Sequence, residues 1–280
     1  MSSPSLPPPL MTEDLCCRAH LCLHIFQDTF IATISDAGQV LYRQTFSNLD
    51  TISPDLLSFL SDRLYSLPFL TYHFAEVHIA FAPSHYVTIP AELESEEQNH
   101  KWLSTTAATM HPKADYIATY SLESTDMIRI IAAWQMEVYN FLKRTYLKAR
   151  IEPLQLPIWE NAVDHSRTVE SRIFTLFVDS HAIDFALFHR GNLLFANRFE
   201  RVPYSDQKEG GQLSDQLIFW WAALCSTLNI DTVKGDYFYL YSYQEFFDHS
   251  DFTQQIAIFT RELEQCGQIF EKKCIEDLFL

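Results

Sequence analysis

HIFQDTFIATISDAGQVLYRQTF (His24–Phe46) and FVDSHAIDFALFHRGNLLFANRF (Phe177–Phe199) lie over one another without a gap. At one constant offset Gly38 falls on Gly191, Leu41 on Leu194, Tyr42 on Phe195 and Phe46 on Phe199. The two stretches share a pattern of apolar, polar and turn positions more than they share identities. Each reads as three short strands joined by tight turns, with the glycine at the second turn. Two such copies predict a duplicated unit, and they make the cleft between the copies the first place to look for a ligand.

The composition sets outer bounds. A chain of 280 residues is long enough for two domains of similar size. Nearly half of it is apolar and 22 residues are Phe, which predicts a large core. The formal charge of −16 argues against nonspecific nucleic-acid binding, which depends on Lys and Arg neutralising phosphates, and against an anionic membrane surface. Cys16, Cys17, Cys22, Cys225, Cys266 and Cys274 form no C-x-x-C pair, so free thiols in a reducing, cytoplasmic compartment are expected. No secretory signal and no apolar run long enough to span a bilayer is read. Six glycines are few, and glycine is what lets backbone approach phosphate closely.

Residues 1–17 are rich in Pro and Ser and read as a disordered tail. Residues 18–165 read as a first half and 166–280 as a second. In the first, Ser53-Pro54 is expected to open a helix to about Ser66, followed by strands at Glu76–Ala82 and Tyr86–Ile89. An acidic helix from Glu92, a hairpin from Asp115 to Trp134 and a helix at Gln135–Lys148 come next, with Pro153 and Pro157 as breakers. Trp159–His165 reads as a short helix. The second half runs through strands in Arg172–Glu200, a helix at Gln212–Asn229, a strand at Asp236–Tyr243, a helix at Thr253–Gln265 and a strand at Gln268–Cys274.

Three strands, helix, strand, in two copies, resembles the actin-like ATPase fold, a duplicated ribonuclease H-like α/β architecture. In each half it implies a mixed five-stranded sheet with helices. YVTIPAELESEEQNHKWLSTTAATMHPKADYIATYSLES and MIRIIAAWQMEVYNFLKRTYLKARIEPLQLPIWENAV resemble, in order, segments of the actin-like type IV pilus assembly protein PilM. FVDSHAIDFALFHRGNLLFANRFE and GGQLSDQL resemble its second phosphate-loop hairpin and the start of its next helix. The likeness spans about residues 19–245 and extends to an uncharacterised group of Bacteroidota proteins assigned the same fold.

The resemblance implies an acidic residue and then a glycine after the first strand of each half, which hold Mg²⁺ through water and admit phosphate. Here Phe26 stands at the first acidic place, followed by Gln27-Asp28. In the second half Asp179 is kept, but Ser180-His181 follows it. The Gly-Gly expected near adenosine is also missing, since Tyr239–Gln244 runs on as strand. A side chain at such a turn clashes or needs positive φ. The reading is therefore of a lost nucleotide site, with no catalytic residue, cofactor or metal. Gln27, Asp28, Asp179, Ser180 and His181 are the candidate cleft residues. Asp179 is expected to be bonded locally or solvated, with His181 as a possible partner.

Other constellations have bland readings beside the sharp ones. His20, Cys22 and His24 alternate along one strand and could ligate zinc or copper, or could line its second buried face. Asp164-His165-Ser166, Asp179-Ser180-His181 and Asp248-His249-Ser250 hold triad residue types, but neighbours seldom converge, and polar turns and caps explain them. Tyr237, Tyr239, Tyr241 and Tyr243 share a strand face, which suits packing on a helix better than base stacking on so acidic a protein. Of Trp220 and Trp221, one is expected in the core and the other at a partner contact. Asp179 and Asp184 are too few for a nuclease cluster. The leading expectation is a non-catalytic actin-like (pseudo-ATPase) scaffold or adaptor with a protein partner. The alternative is a nucleotide-binding protein with a divergent phosphate site in the interdomain cleft.

Overall fold

The computed structural model of the chain describes residues 11–48, 55–106, 115–179, 181–201, 212–230, 235–243, 247–248 and 250–279. Ser53-Pro54, Ser180, the 202–211 loop with its Gly-Gly pair, Gln244 and His249 lie outside the described residues. The chain divides into two units. The first comprises Met1–Ser121, Met127–Leu156 and Phe279–Leu280, and the second Leu122–Asp126 and Pro157–Leu278.

Elements of the first unit run α1 (Glu13–Cys16), β1 (His20–Ile25), β2 (Thr29–Asp36), β3 (Gln39–Ser47), α2 (Leu56–Ser66) and β4 (Glu76–Phe81). There follow β5 (His85–Pro90), α3 (Glu96–Thr106), β6 (Asp115–Leu122), β7 (Thr125–Gln135), α4 (Met136–Thr145) and β8 (Arg150–Pro153). One sheet has the order β3-β2-β1-β4-β8, antiparallel from β3 to β1 and parallel from β1 to β8. Alternation on β1 sends Leu21, Leu23 and Ile25 into a core with Phe59, Leu60 and Leu64 of α2 and Val138 and Leu142 of α4. The inserted segment makes a second sheet, β5-β7-β6, with a small core of Ile89, Leu103, Ile131 and Ala133.

The second unit holds α5 (Gln155–Thr168), β9 (Ile173–Val178), β10 (Ala182–His189), β11 (Asn192–Glu200), α6 (Leu213–Thr227), β12 (Tyr237–Ser242), α7 (Ser250–Gln265) and β13 (Ile269–Cys274). Its sheet repeats the first, in the order β11-β10-β9-β12-β13. Every residue of β9 is buried. Phe174, Leu176 and Val178 meet Leu217 and Trp221 of α6 and Ile256 and Phe259 of α7. The tyrosines of β12 face α5: the Tyr241 hydroxyl donates to Asn161 Oδ1 at 2.9 Å, and the Tyr239 hydroxyl bonds His165 Nδ1. The tyrosine face is thus packed on a helix. Trp221 is in the core, while Trp220 stacks on Phe199 at 3.9 Å and leaves Phe219 as the exposed aromatic of α6.

The two hairpin systems agree in detail. Ala37 and Gly38 have φ of 50° and 77°, and Arg190 and Gly191 have 52° and 78°. Both are two-residue turns with positive φ at each central residue, the form that matches strand twist. The register slips between Ile34 and Ser35 in one copy and between Leu187 and Phe188 in the other, at matching positions.

Several expectations are corrected. Asp55 caps α2, its carboxylate accepting the Ser58 N–H at 2.7 Å. Arg150–Pro153, read only as a region broken by proline, is the parallel edge strand β8, where Pro153 ends the strand and breaks no ladder inside it. The units part after Leu156 and not after residue 165, because α5 packs on the second sheet. The tail does not extend to residue 17: Thr12 caps α1, and Met11 and Cys16 enter the first core.

Removing residues 1–15 takes Met11 and Leu15 from that core. Buried apolar side chains of this size contribute about 2 kcal/mol each. The shortened chain should melt several degrees below one beginning at Met11, as measured by calorimetry. Equal melting temperatures would show that these contacts contribute nothing.

The paired glycines give a second comparison. A Cβ at Gly38 meets nothing within 4 Å, whereas at Gly191 it meets Arg167 Nε at 2.9 Å and Cγ at 3.0 Å. Gly38→Ala should cost roughly 1 kcal/mol for positive φ alone. Gly191→Ala should cost more, because Arg167 must also leave its contact with the Ser124 carbonyl. Denaturant titration of both variants checks the order.

Candidate functional site

The candidate residues sit at the turns that follow the first strand of each unit. In the first, Phe26 N–H donates to Thr29 O at 2.8 Å, and Asn48 N–H donates to Asp28 O at 2.7 Å. In the second, Asp179 N–H donates to Ala182 O at 3.1 Å, and Arg201 N–H donates to His181 O at 2.8 Å. These are the same four positions at the same offset. Gln27 is exposed, Asp28 half-buried and Phe26 fully buried. The Asp28 carboxylate accepts the Thr29 hydroxyl at 3.1 Å.

What differs is charge. Asp179 is 2% exposed, and its Oδ1 accepts the N–H groups of His181 at 2.7 Å and Ala182 at 2.6 Å. Its Oδ2 lies 3.4 Å from Arg198 Nη2, whose Nη1 donates to Asp184 Oδ2 at 2.7 Å. Arg201 Nη1 donates to the Asp179 carbonyl at 2.9 Å. Burial pushes the Arg201 guanidinium below its usual range, and the charges of Asp179 and then Tyr243 act to raise it. The His181 backbone N–H and the Arg198 guanidinium thus both meet the Asp179 carboxylate.

The actin-like fold implies a hydrated magnesium ion and a phosphate at these turns. The donor set does not fit them. The Phe26 side chain offers no oxygen, one Asp179 oxygen is met by two amides, and the other faces a guanidinium. The two amides that a phosphate would need already donate to that carboxylate.

The sequence reading does not place Arg198 or Arg201 among the candidate residues, and for Arg198 the pairing depends on strand register. Counting outward from the Arg190-Gly191 turn sets Asp184 opposite Asn197. The register slip after Leu187 moves the pairing by one and sets it opposite Arg198.

In the triad-like cluster that lies wholly among the described residues, Asp164, His165 and Ser166 bond to separate partners. Asp164 pairs with Arg167 at 3.2 Å, His165 bonds Tyr239, and the Ser166 hydroxyl donates to Val163 O and accepts the Gly191 N–H at 2.8 Å. Glu160 of the same helix accepts the N–H groups of Glu123 and Ser124 at the β6–β7 turn.

On β1, His20 pairs with Glu76 at 3.5 Å near solvent, and Cys22 Sγ lies 3.6 Å from His24 Nε2. Among the described residues no group of three or more His, Cys, Asp or Glu is placed to hold a metal ion. Strand register sets Arg43, Thr33, Cys22 and His78 in one row across the sheet. Burial first, then the charges of His78 and Arg43, push the His24 imidazole from 6.5 down to about 3. The folded value is depressed, so its contribution is complete above about 6.5 and is lost as the pH falls toward 3, while only the unfolded chain takes up the proton. The slope is about 1.4 kcal/mol per pH unit. His24→Phe, which installs the residue found at Phe177 in the other copy, should flatten the acid limb of stability against pH. Denaturant midpoints measured from neutral pH into that range check it, and parallel curves for the two proteins would refute it.

No described helix is long and apolar enough to cross a membrane. A comparison with curated proteins gives no significant match. Among solved structures, the chain is similar to a Bacteroides thetaiotaomicron VPI-5482 protein described as having an actin-like ATPase fold and unknown function. That match has a TM-score of 0.73 and 21% identity, over 92% of this chain and 91% of the other. It is also similar to a chain of the PilM–PilN type IV pilus biogenesis complex, with a TM-score of 0.50 and 10% identity, over 92% and 89% of the two chains. At these identities the likeness establishes the fold, the actin-like ATPase fold, and nothing finer. Residues 17–263 match the family described as "Protein of unknown function (DUF3822)", and the chain, with a five-stranded mixed sheet in each unit, belongs to that family.

Proposed function

We propose that this chain is a non-catalytic actin-like scaffold or adaptor, a pseudo-ATPase of duplicated origin that acts through a protein partner. The observation that carries this reading is the chemistry at the two turns: a buried Phe26 in one, and in the other an Asp179 carboxylate held by two amides and Arg198. A working phosphate site keeps its carboxylate and amides available for ligand. The matching strand orders, turns and register slips support duplication. The six cysteines form no disulfide among the described residues, which suits a reducing cytoplasm. Phe219, 61% exposed beside Trp220, is of the residue class that anchors protein contacts. The chain is also similar in fold to PilM, which is known from a complex with PilN.

The test is calorimetric titration with Mg-ATP. No heat of binding and no thermal shift are expected at any concentration short of the millimolar range. A shift of several degrees would mark a ligand that stabilises the folded chain by mass action. That result would favour a nucleotide-binding protein with a divergent site built from Gln27, Asp28, Asp179, Ser180 and His181.

A further inference from the structure

We infer that the β9–β10 turn is self-liganded: the Asp179 carboxylate serves as its anion and the Arg198 guanidinium as its cation, so the turn is closed without phosphate or a divalent ion. Two amides in succession, those of His181 and Ala182, converge on Asp179 Oδ1 at 2.7 and 2.6 Å. Converging amides of this kind make a concavity for an anion, and here the chain supplies the anion itself. Arg198 bridges Asp179 Oδ2 and Asp184 Oδ2 at 3.4 and 2.7 Å. The carboxylates are 3% exposed as side chains and Arg198 is 12% exposed. Two carboxylates this deeply buried repel unless a cation stands between them. Arg201 adds a second guanidinium by donating to the Asp179 carbonyl at 2.9 Å.

The first unit closes the same turn by other means. Its backbone bonds, Phe26 to Thr29 and Asn48 to Asp28, match those of the second turn, but the Asp179 position is a buried phenyl ring. One copy therefore fills the place with apolar volume and the other with an internal ion pair. The inference builds on the proposed loss of nucleotide binding but can fail separately from it, because its test measures charge balance within the second unit.

The test is a charge cycle on the full chain. Arg198→Met keeps the stem and removes the charge, which strands two buried carboxylates. Its melting temperature should fall by roughly 10 °C. Adding Asp179→Asn and Asp184→Asn to Arg198→Met removes the stranded charge while keeping hydrogen-bond acceptors, and should recover at least half of the loss. If Arg198→Met alone does not fold, folding of the triple variant supports the inference. A triple variant no more stable than Arg198→Met, or equally unfolded, overturns it, because Arg198 would then act through packing alone. The wild-type chain should melt at one temperature in millimolar Mn²⁺ and in EDTA. A Mn²⁺-dependent rise would mean that the turn still takes a metal, and would overturn the inference even if Mg-ATP fails to bind.

Discussion

A strand buried on both faces dictates most of this architecture. β9 exposes no residue, and β12 exposes little beyond its first. Such strands leave neither side chains nor ladder groups for water, so each sheet face needs a cover and each strand a partner. α6 and α7 cover one face of the second sheet with Leu217, Trp221, Ile256 and Phe259. α5 covers the other with a more polar contact, in which Asn161 and His165 satisfy the tyrosine hydroxyls of β12. The same helix holds the β10–β11 turn through Ser166 and the β6–β7 turn through Glu160. Burial of the central strands thus makes α5 the fixed element from which two turns are positioned.

The ends of those strands are where a fold of this kind does its work, since ligands gather at the carboxyl ends of parallel strands. Here both ends are chemically occupied. A catalytic carboxylate is kept open to ligand or solvent and poised by its neighbours. Asp179 is 2% exposed and is met by the amides of His181 and Ala182 and by Arg198. An ion pair of this sort contributes little net stability over apolar packing, yet losing one member is costly, because the other remains buried and charged. The two copies thus represent two stable ways to finish one backbone turn. One places a buried phenyl ring where the other places a buried carboxylate held by two amides and a guanidinium.

Much of this was legible in the residues themselves. Alternation and turn chemistry located the hairpins: Ala37-Gly38 and Arg190-Gly191 carry their positive φ because two-residue turns demand it. The residue pattern also placed helices close to α2, α4, α6 and α7, and the period-two tyrosines of β12 identified a face for packing on a helix. The misses have local causes. Asp55 caps α2 because its carboxylate reaches the Ser58 amide three residues on. β8 was hidden by its proline, which an edge strand tolerates at its last residue. Met11 and Cys16 sat in a segment whose composition resembles a tail, and only long-range contacts reveal them as core.

What the sequence determined alone is therefore periodic and local: two copies of a three-strand hairpin system, the helices that follow, and the absence of an acid at Phe26 and of a glycine after Asp179. Those features depend on neighbours within a few residues, so spacing reports them directly. What only the tertiary structure decided is which charges meet. Arg198 reaches Asp184 and Asp179 because a one-residue slip in the β10–β11 ladder turns it toward them, and Arg201 reaches the Asp179 carbonyl across the turn. Pairing across strands depends on register, and register is settled by packing of the whole sheet.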